Sequence, residues 1–210
     1  MSTQIDHKVV ILTNGGFPVA SHCLEILDTA GTIICCDEAA EYLLRYGREP
    51  DLIIGDMDSI SPATRQRFSD RLIVIEEQET NDLTKAVNHC IQNKIDEVTI
   101  LGATGLREDH TLGNISLLLE YSREIKVRMV TDYGVFTVVQ SGEKVRSSPG
   151  EKISFFSVDN RVKVTSEGLK FPLNKLQLHN WWRASLNEVT SDSFTLYFES
   201  KWPLLLFRSI

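Results

Sequence analysis

The chain has 210 residues, a length that suits one large domain or two small ones and that buries a substantial core. With 42% hydrophobic and 24% charged residues, its composition is that of an ordinary soluble globular protein. A formal net charge of −7 excludes non-specific nucleic-acid binding through basic patches, although an acidic chain still holds an anionic nucleotide if a metal ion and backbone amides carry the phosphates.

The opening stretch MSTQIDHKVVILTNGG has only a short apolar run behind Asp6, His7 and Lys8, which fits no signal peptide. No segment is long enough to span a bilayer, so a cytoplasmic protein without a membrane partner is expected. Short apolar runs then recur at 9–13 (VVILT), 32–37 (TIICCD), 51–56 (DLIIGD), 72–75 (LIVI), 97–103 (EVTILGA) and 126–132 (KVRMVTD). Continuous rather than alternating apolar residues suit strands buried on both faces of a parallel sheet. Helix patterns lie between them. EAAEYLLRYG ends in Gly47, a C-terminal stop signal, and LGNISLLLEY follows Asp109 and His110. NDLTKAVNHCIQN sets Leu83, Ala86, Val87, Cys90 and Ile91 on one helical face. The alternation predicts an open, Rossmann-like α/β domain over residues 1–135.

From about residue 136 to 210 the texture changes to short strand-like pieces: VFTVVQ, KVRSSPGEKISFFSV, RVKVTSEGL, SFTLYFE and PLLLFR. Turn residues separate them, as in Ser141-Gly142, Pro149-Gly150 and Asp159-Asn160, and the expectation is a small antiparallel β-sandwich. The four cysteines, Cys23, Cys35, Cys36 and Cys90, have no metal-ligand spacing and read as small buried hydrophobes.

In an open α/β sheet ligands bind at the carboxyl ends of the strands, and the polar residues collect there. The first run ends in Thr13-Asn14-Gly15-Gly16, the second in Asp37, and the third in Asp56-Met57-Asp58-Ser59. The fourth is followed by Gln78-Glu79-Thr80-Asn81-Asp82, and the fifth by Gly102 through His110. Asp56 and Asp58 in extended backbone point to opposite sides, so only a turn brings both onto one cation. Mg²⁺ suits such a pair, since it takes carboxylates together with substrate phosphates; a local Asx-turn is the alternative. Asp82 either faces the same ion or complements a helix dipole behind an Asn81 or Thr80 cap. In the loop 102–110, Gly102 and Gly105 permit close backbone approach, Arg107 can pair with a phosphate, and Asp109-His110 open a helix whose N-terminus attracts anions.

These motifs together resemble the thiamine pyrophosphokinase family over nearly the whole chain. Its strand-ending GDxDS is matched by Gly55 to Ser59, its acidic element before a helix by Glu79 to Asp82, and its glycine-arginine loop by Gly102 to His110. GLKFPL (168–173) and SLNE (185–188) resemble elements of its β-domain. Asn81 stands where the family has threonine, Glu79 where it has aspartate, Leu106 where it has a second glycine, CDEAA (36–40) for ADGGA, and Leu186 where it has serine. The resemblance implies transfer of a pyrophosphoryl group from ATP to the hydroxyl of thiamine, with Mg²⁺ held by Asp56, Asp58 and Asp82. It further implies Asp109 among the catalytic carboxylates, with Asp37, Ser59, Gly102, Gly105, Arg107 and His110 at the nucleotide. Gln78, Phe171, Ser185 and Asn187 are implied at thiamine, in a homodimer that Trp181 and Trp182 either serve or underpin from the core. Two rival enzymes also use Asp-x-Asp: a haloacid-dehalogenase-type phosphatase and a metal-dependent glycosyltransferase. A nucleotide- or thiamine-binding regulator without turnover is the non-enzyme alternative.

Overall fold

The structure, a computed structural model, describes residues 8–210; Asp6 and His7, used above against a signal peptide, lie outside the described residues. The chain divides after Asp132 into two compact units.

The first unit alternates strand and helix: β1 (Val9–Leu12), α1 (Ser21–Asp28), β2 (Thr32–Cys36), α2 (Ala39–Tyr46), β3 (Leu52–Gly55), α3 (Pro62–Arg67), β4 (Leu72–Val74), α4 (Asp82–Gln92), β5 (Glu97–Leu101), α5 (Glu108–Tyr121) and β6 (Lys126–Thr131). The six strands pair in parallel in the order β4-β3-β2-β1-β5-β6. All four residues of β1 are buried, as a strand covered on both faces requires. The chain builds outward from β1 through β4 and then lays β5 on the other side of β1. Strand order therefore reverses between β1 and β5, and in open α/β sheets a ligand cleft lies at the carboxyl ends of the strands beside such a reversal.

Local sequence explains the helices. Gly47 ends α2 at φ +97°, a left-handed conformation that costs glycine nothing. Asn81 caps α4 by accepting from the Thr84 N–H, and of the predicted face α4 buries Leu83, Ala86, Val87 and Cys90, with Ile91 half-buried. Two helices escape the sequence pattern. The start of α1 is held from far along the chain, by Asp132 Oδ1 accepting the N–H groups of Val19 and Ala20 at 3.0 and 2.8 Å. The six-residue α3 is too short for periodicity, although Ser61 caps it and Pro62 opens it.

The second unit, Tyr133–Ile210, is all β. Strands β7 (Gly134–Val139), β8 (Lys144–Arg146), β9 (Lys152–Phe156), β10 (Lys163–Glu167), β11 (Leu176–Gln177), β12 (Ala184–Glu188), β13 (Ser193–Phe198) and β14 (Leu204–Ser209) form antiparallel pairs. Within this unit β12-β9-β14-β7 are neighbours in one sheet and β11-β10-β13-β8 in another. Residues of both share an apolar core, where Phe155 and Phe194 meet edge-on at 5.7 Å. An open parallel α/β part followed by an all-β part is the predicted architecture; β11 and β12 were not predicted. Among the described residues no helix is long and apolar enough to cross a membrane. All four cysteines are free and buried.

Candidate active site

The turn after β3 resolves the geometry of the two aspartates. Met57 adopts φ +67° and buries its side chain, so the backbone reverses hand between Asp56 and Asp58. That reversal turns the carboxylates toward a common point, which extended backbone does not allow. The turn is also an Asx-turn, with the Asp58 N–H donating to Asp56 Oδ1 at 3.2 Å, so the two readings of this motif are compatible. Ser59 Oγ donates to Asp58 Oδ1 at 2.7 Å, and Gln78 Nε2 donates to Asp56 Oδ2 at 2.8 Å.

Asp37 completes the cluster. It leaves β2 at φ +43° and places a carboxylate oxygen within 4.8 Å of oxygens from Asp56 and Asp58. Its Oδ2 accepts the Ser59 N–H at 3.2 Å, whereas its buried Oδ1 has no hydrogen-bond partner among the described residues. Burial pushes the Asp37 carboxyl up to about 6 against the Ser59 hydrogen bond, and the charges of Asp82, Asp58 and Asp56 push the same way. The Asp56 carboxyl is held below its ordinary range, first by Gln78 and then by the Asp58 N–H. An orphaned buried oxygen among three oxygen donors fits a hard divalent cation such as Mg²⁺.

Asp82, in the first turn of α4, lines the same cleft, with its Oδ1 accepting from Lys85 Nζ at 3.0 Å. Gly55 makes room for this arrangement. A Cβ there would lie 3.0 Å from the Asp37 Cβ and 3.4 Å from the Asp82 carboxyl carbon. Across the cleft, the loops after β1 and β5 are stitched together, Gly15 N–H to Gly102 O at 2.8 Å and Gly16 N–H to Thr104 O at 2.8 Å. A Cβ on Gly15 would sit 2.3 Å from the Gly102 oxygen, so only glycine permits this approach. Asn81 Nδ2 donates to Asn114 Oδ1 at 3.1 Å and Asn114 Nδ2 donates to the Ala103 carbonyl at 3.0 Å, tying the loop to the starts of α4 and α5.

The cleft has a volume of about 510 Å³, ample for a small-molecule substrate. Its lining includes Asp37, Asp56, Asp58, Ser59, Gln78, Asp82, Gly105, Arg107 and His110 from the predicted set. Gly102 serves as the backbone partner of Gly15 and is not itself in the lining. Asp109, also outside the lining, accepts from Arg107 Nε at 3.1 Å and from the His110 N–H at 2.9 Å. The Arg107 hydrogen bonds bring Asp109 down to about 2, with the His110 N–H adding to them. Such a carboxylate is a weak proton acceptor and is placed to orient Arg107. Leu106, at φ +63°, keeps the left-handed backbone of the position where the resembling family has glycine.

Sequence reasoning set Asn14 at a strand end without giving it a role and passed over Glu38 and Lys85, yet all three line the cleft; Asn14 Nδ2 donates to Glu38 Oε2 at 3.0 Å. Asn14 and Glu38 directly follow strand ends, and that position was their available signal.

In the β-unit, the remaining predicted residues gather around one bulge. Ala184 faces Phe155 and Asn187 faces Ile153, so β12 carries one extra residue there. The bulge leaves Leu186 at φ +57° and 76% exposed. Asn187 is 3% exposed and acts as scaffold: its Nδ2 donates to the Phe171 carbonyl at 2.8 Å and its Oδ1 accepts the Phe171 N–H at 3.2 Å. Ser185 Oγ donates to the Trp182 carbonyl at 2.7 Å. Phe171 and Trp182 are exposed, and Trp181 packs edge-on against Phe156 with centroids 6.1 Å apart.

The family model for the thiamin pyrophosphokinase catalytic domain matches residues 23–130, and that for the thiamin pyrophosphokinase substrate-binding domain matches 134–206. The chain belongs to the thiamine pyrophosphokinase family. A thiamine pyrophosphokinase of Bacillus subtilis (strain 168) is 30% identical over 150 residues, 68% of this chain and 70% of that protein. The crystal structure of thiamine pyrophosphokinase from Bacillus subtilis superposes with a TM-score of 0.76 at 27% identity, covering 96% of this chain and 98% of that one. The thiamin pyrophosphokinase of Candida albicans, at 19% identity, shares the fold with a TM-score of 0.78 over 97% of this chain and 89% of that one.

Proposed function

We infer that this chain is a thiamine diphosphokinase, which transfers the pyrophosphoryl group of ATP to the hydroxyl of thiamine and releases AMP. Membership of the family supports this across both units, and one observation carries the chemistry: three clustered carboxylates, one with an unpartnered buried oxygen, at the head of a 510 Å³ cleft. The hydroxyl oxygen bonds to the β-phosphorus while the bond from that phosphorus to the α,β-bridging oxygen breaks, and AMP leaves with the oxygen. The hydroxyl proton passes to a carboxylate of the cluster. Little covalent work falls to the protein, so its contribution is positioning and charge stabilisation.

Asp56 and Asp58 are the proposed Mg²⁺ ligands, with Asp37 and Asp82 beside them on the same side of the cleft. Bound there, the ion would neutralise charge on the phosphoryl oxygens. Ser59 and Gln78 hold the first two aspartates in orientation. Arg107, kept in register by Asp109, retains N–H donors for phosphate, and Gly102, Gly105 and His110 shape the nucleotide side in a Rossmann-like manner at the point where strand order reverses. Residues 1–135 are the proposed nucleotide domain.

Residues 136–210 are the proposed thiamine-binding and dimerisation domain. Phe171 and Ser185 face thiamine in this reading, with Asn187 holding the Phe171 backbone. Exposed apolar side chains at Phe171, Trp182 and Leu186 support a homodimer, and four reduced, buried thiols support a cytoplasmic setting. The test is chromatography of reactions with ATP, Mg²⁺ and thiamine, with and without EDTA. AMP and thiamine diphosphate in equal amounts, abolished by EDTA, are expected. ADP with thiamine monophosphate would overturn the bond assignment, and turnover without thiamine would revive the phosphatase.

A further inference from the structure

Helix α4 opens with Asp82 and carries Lys85 one turn later, and the two side chains meet at 3.0 Å. The pair is lopsided. The Lys85 side chain is 3% exposed, whereas that of Asp82 is 31% exposed. Withdrawing an ammonium from water costs several kcal/mol unless its charge and its donors are matched. Lysine offers three N–H donors, and among the described residues Lys85 meets one acceptor, Asp82 Oδ1.

A lysine beside the buried face of a helix ordinarily runs its stem out to solvent. Lys85 reaches the cleft instead, where it joins four aspartates in the lining. The other full cation there, Arg107, is 64% exposed and tied to Asp109. Lys85 is therefore the positive charge fixed inside the site. Its field crosses the cleft: after the hydrogen bonds from Gln78 and the Asp58 N–H, the Lys85 ammonium also helps hold the Asp56 carboxyl low. Pre-placed charge is a large lever on a reaction that gathers negative charge on phosphoryl oxygens.

We propose that Lys85 is a catalytic residue whose ammonium donates to a non-bridging oxygen of the transferred β-phosphoryl group. This rests on the pyrophosphoryl-transfer reading above. Asp82 holds the ammonium in place, and its unspent donors supply the contact. The bland alternative is an i,i+3 ion pair that serves only to orient Asp82.

Lys85→Met removes the charge at nearly constant volume, and Lys85→Gln removes it while keeping a donor for Asp82. Both variants should lose at least about 50-fold in turnover at saturating Mg²⁺. Calorimetry with ATP and Mg²⁺ in the absence of thiamine should show at least about fivefold weaker binding. Turnover within threefold of wild type at saturating Mg²⁺, in whichever variant folds, would overturn the proposal and leave Lys85 serving Asp82 alone. If the wild-type chain released no AMP with thiamine, the functional reading would fall. The calorimetry would still decide the contact: ATP bound equally by wild type and variants would exclude it.

Discussion

Asp37 and Asn187 are both almost completely buried polar side chains, at 4% and 3% exposure, yet their hydrogen bonding differs. Asn187 spends its amide on the backbone of Phe171 and on the Glu188 N–H, so burial costs it little. Asp37 keeps one buried oxygen without a partner and sits among like charges, which is unfavourable until a cation arrives. The parallel unit therefore stores electrostatic strain at its rim, whereas the β-unit uses its buried amide to fix a loop. Under the proposed function, the contrast separates residues that do chemistry from residues that position it.

The strongest way to break that contrast is at the rim. Asp58→Ala should lower turnover by at least ~10²-fold, about 2.7 kcal/mol of transition-state stabilisation, with the melting temperature unchanged or raised. Steady-state kinetics beside a thermal melt reads both numbers, and turnover within a few-fold of wild type would remove Asp58 from the metal site. Asn187→Ala should do the reverse in order of cause. Unsatisfied backbone at Phe171 and Glu188 should cost about 2 kcal/mol of stability, measured by denaturant unfolding. An unchanged midpoint would show that water replaces the amide.

Asp37 gives a pH test with a definite sign. Its folded carboxyl titrates at about 6, above its ordinary 3.8, so the folded state holds a proton that the unfolded chain has released. The stability this contributes is fully present below 3.8 and is lost as pH rises through about 6. Asp37→Asn removes that loss. In EDTA, the variant's stability relative to wild type should therefore grow between pH 5 and pH 7.5, by about 1–2 kcal/mol. A flat difference would place the carboxyl in solvent.

How much of this was legible in the sequence depended on whether the signal was local. All six strands of the parallel unit were readable from short apolar runs, continuous as in Val9–Leu12 and interrupted by Arg128 in β6. Helix α4 announced itself through both its buried face and its Asn81 cap. Helix α1 did not, because its start is held by Asp132 from the far end of the unit. Strand β12 was invisible because the bulge breaks its alternation between Ala184 and Asn187. The same limit governs the site. Asp56 and Asp58 stood out as neighbours, but that Met57 turns them together is a matter of one backbone dihedral. Asp37 joins them, and Lys85 meets Asp82 inside the cleft, only once the strand ends are side by side.

The smallest expected effect lies at the bulge itself and sharpens the contrast from the β-unit's side. Leu186 holds a left-handed φ of +57° with its side chain 76% exposed, so its backbone is strained with no burial in return. A left-handed non-glycine residue costs about 1 kcal/mol, and glycine relieves this while adding freedom to the unfolded chain. Leu186→Gly should therefore stabilise the fold by only about 0.5 kcal/mol. If the strain exists to present an apolar group to thiamine, the same variant should raise the KM for thiamine several-fold and leave the KM for ATP unchanged. Stabilisation with no change in either KM would make the bulge a feature of the strand edge alone. A loss of more than about 1 kcal/mol would show that the exposed leucine is covered in solution, and equilibrium sedimentation of the variant would then reveal whether a second copy of the chain covers it.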